Sequence, residues 1–136
     1  MNTLSNLSAL TGRIGLSAIF ILSGIAKLGA GYAGTRGYME AMGVPSALLP
    51  LVIFAEVAGG LAILSGFLTR WAAIGLAVFS VASAFLFHFQ LADQMQFINF
   101  FKNVAMAGGF MALAAHGAGA FSIDSWLASR RTKAGV

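Results

Sequence analysis

Apolar positions in this chain fall in four long unbroken stretches, at about 9 to 29, 47 to 68, 71 to 92 and 97 to 120, with polar residues gathered in the short gaps between them. Each stretch is near the ~20 residues a helix needs to cross the hydrocarbon core of a bilayer. The runs are continuous and do not alternate with period two, and an isolated span must satisfy its own backbone hydrogen bonds, so the pattern predicts transmembrane helices and not barrel strands. Punctuation agrees. Gly29 to Gly37 reads as a Gly-rich loop, Pro45 and Pro50 fall at the start of the second span where a missing N–H costs least, and Thr69-Arg70 marks a very tight turn.

The expected fold is therefore an all-α membrane protein, a compact four-transmembrane-helix bundle in a single domain over residues 1–136, with residues 121–136 as a short basic tail. Small residues four apart recur in three spans, as Ala55 with Gly59, Ser80 with Ala84 and Ala105 with Gly109. In lipid such pairs let helices approach closely, because dispersion packing drives their association. A faint repeat also stands out: Ile14-Gly15-Leu16 resembles Ile74-Gly75-Leu76, and Ala58-Gly59-Gly60-Leu61 resembles Ala107-Gly108-Gly109-Phe110. Either two helical hairpins are related by an axis along the membrane normal, or common Gly and Ala residues coincide.

Composition turns the pattern into a statement about solvent. Hydrophobic residues make up 59% of the chain and charged residues only 9%, against roughly 25% charged in soluble domains. That is too little polar surface to coat a water-facing globule, which excludes an ordinary cytosolic enzyme and makes the lipid bilayer the first partner. The sequence pI of 10.2 does not point to nucleic acid, because eight Lys and Arg are scattered over the whole chain without a basic stripe. Cysteine is absent, which removes disulfides, thiolate metal sites and cysteine relays, so redox chemistry would need a cofactor or a partner protein.

Charge also orients the spans. Arg13, Arg70, Arg130, Arg131 and Lys133 fall on one side, and Lys27, Arg36 and Lys102 on the other. Basic flanks concentrate in the cytoplasm, so both termini are expected to be cytoplasmic in a bacterial inner membrane, with the Gly29 to Ser46 loop outside. A competing reading takes Arg13 and the uncharged run ending Ser23-Gly24-Ile25-Ala26 as a cleavable signal peptide. It would start the mature chain at Lys27 inside a continuing apolar stretch and leave three spans.

Ionisable residues within spans are costly and usually face the bundle interior, so their depth is informative. At 1.5 Å per residue from the cytoplasmic edge, Glu56 lies roughly 21 Å up, Lys27 about 25 Å, and His88 and Lys102 near 27 Å. Asn99, Asn103 and Gln90 fall within about a turn of these. A lone buried carboxylate takes up a proton, so Lys27 or Lys102 is expected beside Glu56. The alternative is that Lys27, His88 and Lys102 snorkel singly to the outer headgroups. His116, about 6 Å from the cytoplasmic edge, reads as interfacial, and Arg13 as a residue snorkelling to inner phosphates. The two histidines on different levels argue against a metal site, and the Gly-rich pieces lack the context of a phosphate loop. Phe85, Phe87 and Phe89 around His88, with Phe97, Phe100 and Phe101 before Lys102, are packing residues or walls for a flat apolar ligand.

In order and spacing the motifs resemble the DoxX family of small four-span inner-membrane proteins. They are Ser23-Gly24-Ile25-Ala26-Lys27, Glu56-Val57-Ala58-Gly59-Gly60, Gly66-Phe67-Leu68-Thr69-Arg70, His88, Asn99-Phe100-Phe101-Lys102-Asn103 and Gly117-Ala118-Gly119-Ala120-Phe121-Ser122-Ile123-Asp124. The family commonly has Gly-Pro-Gly where this chain has Gly117-Ala118-Gly119, which implies a looser turn. Relatives in that family include membrane subunits of a thiosulfate:quinone oxidoreductase and accessory proteins of cofactor or metal-peptide maturation.

The resemblance implies fold and location first, and a quinone-side redox role second. Two function classes follow. In the first, a quinone-interacting, non-autonomous oxidoreductase subunit, Glu56, Lys102 and His88 contact the ligand and its protons. Lys27, Asn99, Asn103 and Phe101 then complete the quinone pocket, while a redox partner supplies electrons. In the second, a non-catalytic scaffold or maturation accessory, alone or as a homo-oligomer, uses the same charges to fasten its helices. A quinone site needs a lateral opening and an apolar pocket beside the polar layer; a scaffold needs neither.

Overall fold

Asn2 opens the first helix, its side chain accepting a hydrogen bond from the Ser5 amide at 2.9 Å, an N-cap that satisfies one of the orphan donors of the first turn. The computed structural model describes residues 2–133. They form α1 (Thr3–Ala26), α2 (Gly31–Ala41), a 3₁₀ turn (Ser46–Leu48), α3 (Leu49–Ser65), α4 (Thr69–Phe87), α5 (Gln94–His116) and α6 (Ile123–Lys133), with no strand among the described residues. Four of these helical segments, over 3–26, 46–65, 69–87 and 94–116, are long and apolar enough to cross a membrane. The all-α, four-span expectation holds.

The helices stop short of the apolar runs. Hydropathy records exposure to lipid, whereas a helix ends where its backbone turns, and Gly66 turns it after α3. Its φ of 68° is left-handed, and its N–H closes on the Ala62 and Ile63 carbonyls. The turn between α3 and α4 is thus Gly66 to Leu68, and Thr69 already belongs to α4. His88 ends α4, and Asp93 caps α5 by accepting from the Gln96 amide at 2.9 Å.

Two further elements correct the sequence reading. The segment expected to be a Gly-rich loop is helix α2. Gly31, Gly34 and Gly37 recur at three-residue spacing along it, and a Cβ at Gly34 or Gly37 would meet nothing within 4 Å, so they leave an open face while Met39 turns inward. Met39 packs with Val44 and Leu49, flanked by Tyr32, Val52, Ile53 and Phe87. Tyr38 stacks on Phe87 at 5.6 Å. The expected tail is helix α6 as far as Lys133, and residues 134–136 lie outside the described residues.

The bundle is two tight helix pairs, α1 with α3 and α4 with α5, joined chiefly along α3 and α4, while α1 and α5 meet lightly. At the α1–α3 crossing a Cβ on Gly24 would stand 2.6 Å from Val57 Cγ2, and one on Gly60 would stand 2.7 Å from Ile21 Cγ1 and 3.3 Å from the Ser17 carbonyl. Glycine permits this approach, and dispersion contact rewards it. Of the expected small pairs, Ser80 and Ala84 are both buried in α4. Gly59 and Gly109 receive leucines from neighbouring helices, Leu76 of α4 and Leu16 of α1 respectively, but Ala105 is exposed.

Those two leucine-on-glycine contacts fall on the elements of the faint repeat. Leu16 and Leu76 end its first motif, and Gly59 and Gly109 belong to its second. Exchanging α1 with α4 and α3 with α5 maps tight pair onto tight pair and loose pair onto loose pair, as an axis along the bundle requires. The shared core lies between the pairs. Phe20 sits edge-on to Phe110 at 5.3 Å and to Phe79 at 6.0 Å, with Ile63, Leu76 and Ala107 around them.

Candidate functional site

Lys27 is the residue that ends α1, and Glu56 lies two turns into α3 on the face that Gly24 and Gly60 bring against α1. Lys27 Nζ stands 2.8 Å from Glu56 Oε2 and donates to Oε1 at 3.0 Å. Ser23, one turn before Lys27, donates from its hydroxyl to Oε1 at 3.1 Å and accepts from Nζ at 2.7 Å. Glu56 is only 5% exposed, so its carboxylate depends on these groups. Oε2 has the ionic contact to Lys27 as its one polar neighbour among the described residues.

The other expected members stand apart from this cluster in their contacts. His88 Nδ1 donates to Gln96 Oε1 at 2.7 Å, joining the end of α4 to the start of α5. Lys102 is exposed on α5 and makes no hydrogen bond or ion pair among the described residues, so Lys27 is the partner of Glu56 and Lys102 is not. Asn103 Nδ2 donates to the Asn99 carbonyl at 3.0 Å, both residues being half-buried. Phe101 is exposed, in edge contact with the buried Phe100 at 5.3 Å. Around Phe100 a wall of rings faces outward, with Phe85 at 5.2 Å and Phe89 at 5.6 Å, while Phe97 lies 4.8 Å from Phe101.

The sequence reading missed the most connected side chain. Arg13, expected to snorkel to lipid phosphates, is 1% exposed. Its Nε donates to the Ile63 carbonyl at 2.8 Å, and its terminal nitrogens donate to Leu64 at 2.5 Å, Ala118 at 2.9 Å and Phe121 at 2.7 Å. These are the end of α3, whose last carbonyls lack intrahelical partners, and the turn between α5 and α6. One guanidinium, with its five donors in a rigid fork, therefore ties α1 to both. The turn at Gly117-Ala118-Gly119 is accordingly firm, with Ala118 buried and the Ala120 amide donating to Asn6 Oδ1 at 3.0 Å. Asp124 completes this end by accepting from the Leu68 and Thr69 amides at 2.9 Å each. The Ser122 to Asp124 stretch was visible in the sequence, but nothing local in it names its distant amide partners.

Because α1 and α5 meet lightly, a groove of about 560 Å³ opens between them, walled by Ala9, Gly12, Leu16, Gly109 and Leu113, with Ser5, Ser8 and His116 among its polar lining. His116 Nδ1 donates to the Ala112 carbonyl at 2.9 Å, so this histidine lines the groove at the bundle end opposite His88. This groove lies at the end of the bundle away from Lys27 and Glu56, so it does not adjoin the polar layer.

These features define a four-span helical membrane protein with, among the described residues, a cross-helix ion pair on a buried glutamate and a buried arginine clamp. The DoxX family model matches residues 8–89, and the chain belongs to the DoxX family. It is 50% identical over 127 residues to "Inner membrane protein YqjF" of Escherichia coli (strain K12), covering 93% of this chain and 97% of that protein. It is 36% identical over 122 residues to "Inner membrane protein YphA" of the same organism, covering 85% of this chain and 86% of that one. No solved structure matches. The protein is an integral inner-membrane protein.

Proposed function

We propose that the chain is a non-catalytic accessory or scaffold protein of the inner membrane, with both termini in the cytoplasm, whose intramembrane charges fasten its own helices. The supporting observation is that the Glu56 carboxylate is buried and held by Lys27 and Ser23, both on α1. A buried carboxylate paired with a cation from the neighbouring helix end gives register to the α1–α3 contact. Removing Lys27 leaves the buried Glu56 charge uncompensated and costs up to about 3 to 5 kcal/mol, while removing Glu56 costs less because Lys27 is partly exposed. The test is thermal unfolding in detergent of Lys27→Met, Glu56→Gln and the double variant. Under this reading the double variant is more stable than the sum of the single losses predicts; strict additivity sinks it.

A quinone-interacting role is the second reading, and the ring wall around Phe100 with the free ammonium of Lys102 favours it. A flat headgroup would lie on the rings, with the Lys102 ammonium donating to its carbonyl and His88, whose Nδ1 is committed to Gln96, offering its other nitrogen as an acceptor. With no cysteine in the chain, electrons would come from a redox partner. Titration of the protein in nanodiscs with a short-chain quinone analogue tests this. Saturable micromolar binding, weakened about tenfold in Lys102→Met or His88→Phe by loss of one hydrogen-bonding group, supports it. Binding indifferent to both changes, or no saturable binding, removes it.

A further inference from the structure

Helix α6 is pinned to the end of the bundle at the turn between α3 and α4. Its second residue, Asp124, holds the amides of Leu68 and Thr69 at the start of α4, and its own amide donates to the Gly66 carbonyl at 2.9 Å. Phe121 just before it is 52% exposed and Trp126 53%, and an exposed indole is of the kind that settles at the membrane interface. One turn beyond, Arg130 stacks over the Trp126 ring at 4.4 Å. Trp126, Ser129, Arg130 and Lys133 share one face, three or four residues apart, and line a shallow concavity. Neither cation has an acidic partner among the described residues. Asp124, the one acid of α6, is occupied by the backbone of the turn.

We propose that this concavity is a binding site for the phosphate of an anionic phospholipid. Arg130 lies over the Trp126 ring with no hydrogen bond from its guanidinium among the described residues; Lys133 supplies a second charge and Ser129 a hydroxyl. The indole reaches the glycerol and acyl boundary beneath the phosphate. The chemistry is that of a phosphodiester in a negatively charged surface, and lipid is the occupant because α6 is fastened to the ends of membrane-spanning helices. The site depends neither on the ion pair of Glu56 nor on any quinone.

The chain has two tryptophans, Trp71 and Trp126, so Trp71→Phe leaves Trp126 as the sole indole reporter. In bilayers containing brominated phosphatidylglycerol its fluorescence should be quenched at a lower mole fraction than with brominated phosphatidylcholine, and added salt should narrow the difference. A basic residue near an anionic surface is worth about fivefold in affinity, so Arg130→Gln with Lys133→Gln should abolish most of the preference. The exchange Arg130→Lys with Lys133→Arg should keep it and verifies that α6 still docks. Equal quenching by the two lipids in the Trp71→Phe protein overturns the proposal. A preference that survives the double glutamine change overturns the assignment to these residues.

Discussion

Gly24 of α1 lies so close to Val57 of α3 that a Cβ on it would fall 2.6 Å from Val57 Cγ2. That approach carries Lys27, three residues on, to within 2.8 Å of Glu56, the neighbour of Val57. The close helix contact and the ion pair on the buried Glu56 are parts of one arrangement, since a wider crossing would leave the short Glu56 side chain without its cation.

Gly24→Ala and Gly60→Ala should each destabilise the protein, by about 1 to 3 kcal/mol, because the added methyl meets a branched side chain and nearby backbone. Gly75→Ala, where a Cβ meets nothing within 4 Å, should be neutral or stabilising by up to about 1 kcal/mol through helix propensity. Thermal melts in a single detergent compare the three.

Lys27 and Glu56 should show a coupling of about 0.5 to 3 kcal/mol in a double-mutant cycle. Glu56 with Lys102→Met should be additive, since Lys102 is exposed and makes no contact with the carboxylate. Coupling to Lys102 equal to that of Lys27 would contradict this geometry.

Arg13→Lys should be nearly as damaging as Arg13→Met. A single ammonium cannot reproduce a fork that serves four carbonyls on two segments, and each buried carbonyl left unpaired costs about 1 to 3 kcal/mol. Loss of stability, and protease sensitivity in the turn from Gly117 to Ser122, are the expected readouts. Full rescue by lysine would refute the clamp.

Asp124→Ala should release α6 from the α3–α4 turn and cost about 1 kcal/mol, the scale of a lost helix cap. Faster hydrogen exchange at the Leu68 and Thr69 amides, with α5 unchanged, is the local signature.

The basic flanks predict the topology. A reporter active only outside the cytoplasm should be silent after Val136 and active when inserted at Gly43, which lies in the turn after α2. The opposite pattern would invert the orientation.

The sequence alone determined what is local. Spans were legible because twenty consecutive apolar residues have one stable solution in a bilayer, and Glu56 announced a cationic partner because an unpaired charge there is costly. Which lysine answers it was decided by the tertiary structure: Lys27 and Lys102 sit at similar depths, and only the tight α1–α3 crossing selects the first. Helix α2 was hidden because glycine suggests a loop by propensity, while burial of Met39 against Val44 and Leu49 overrides that weak preference. Arg13 was misread for the same physical reason. Depth along a helix can be counted in a sequence, but the four carbonyls that draw its guanidinium inward come from chain segments 50 to 108 residues away, and only folding brings them together.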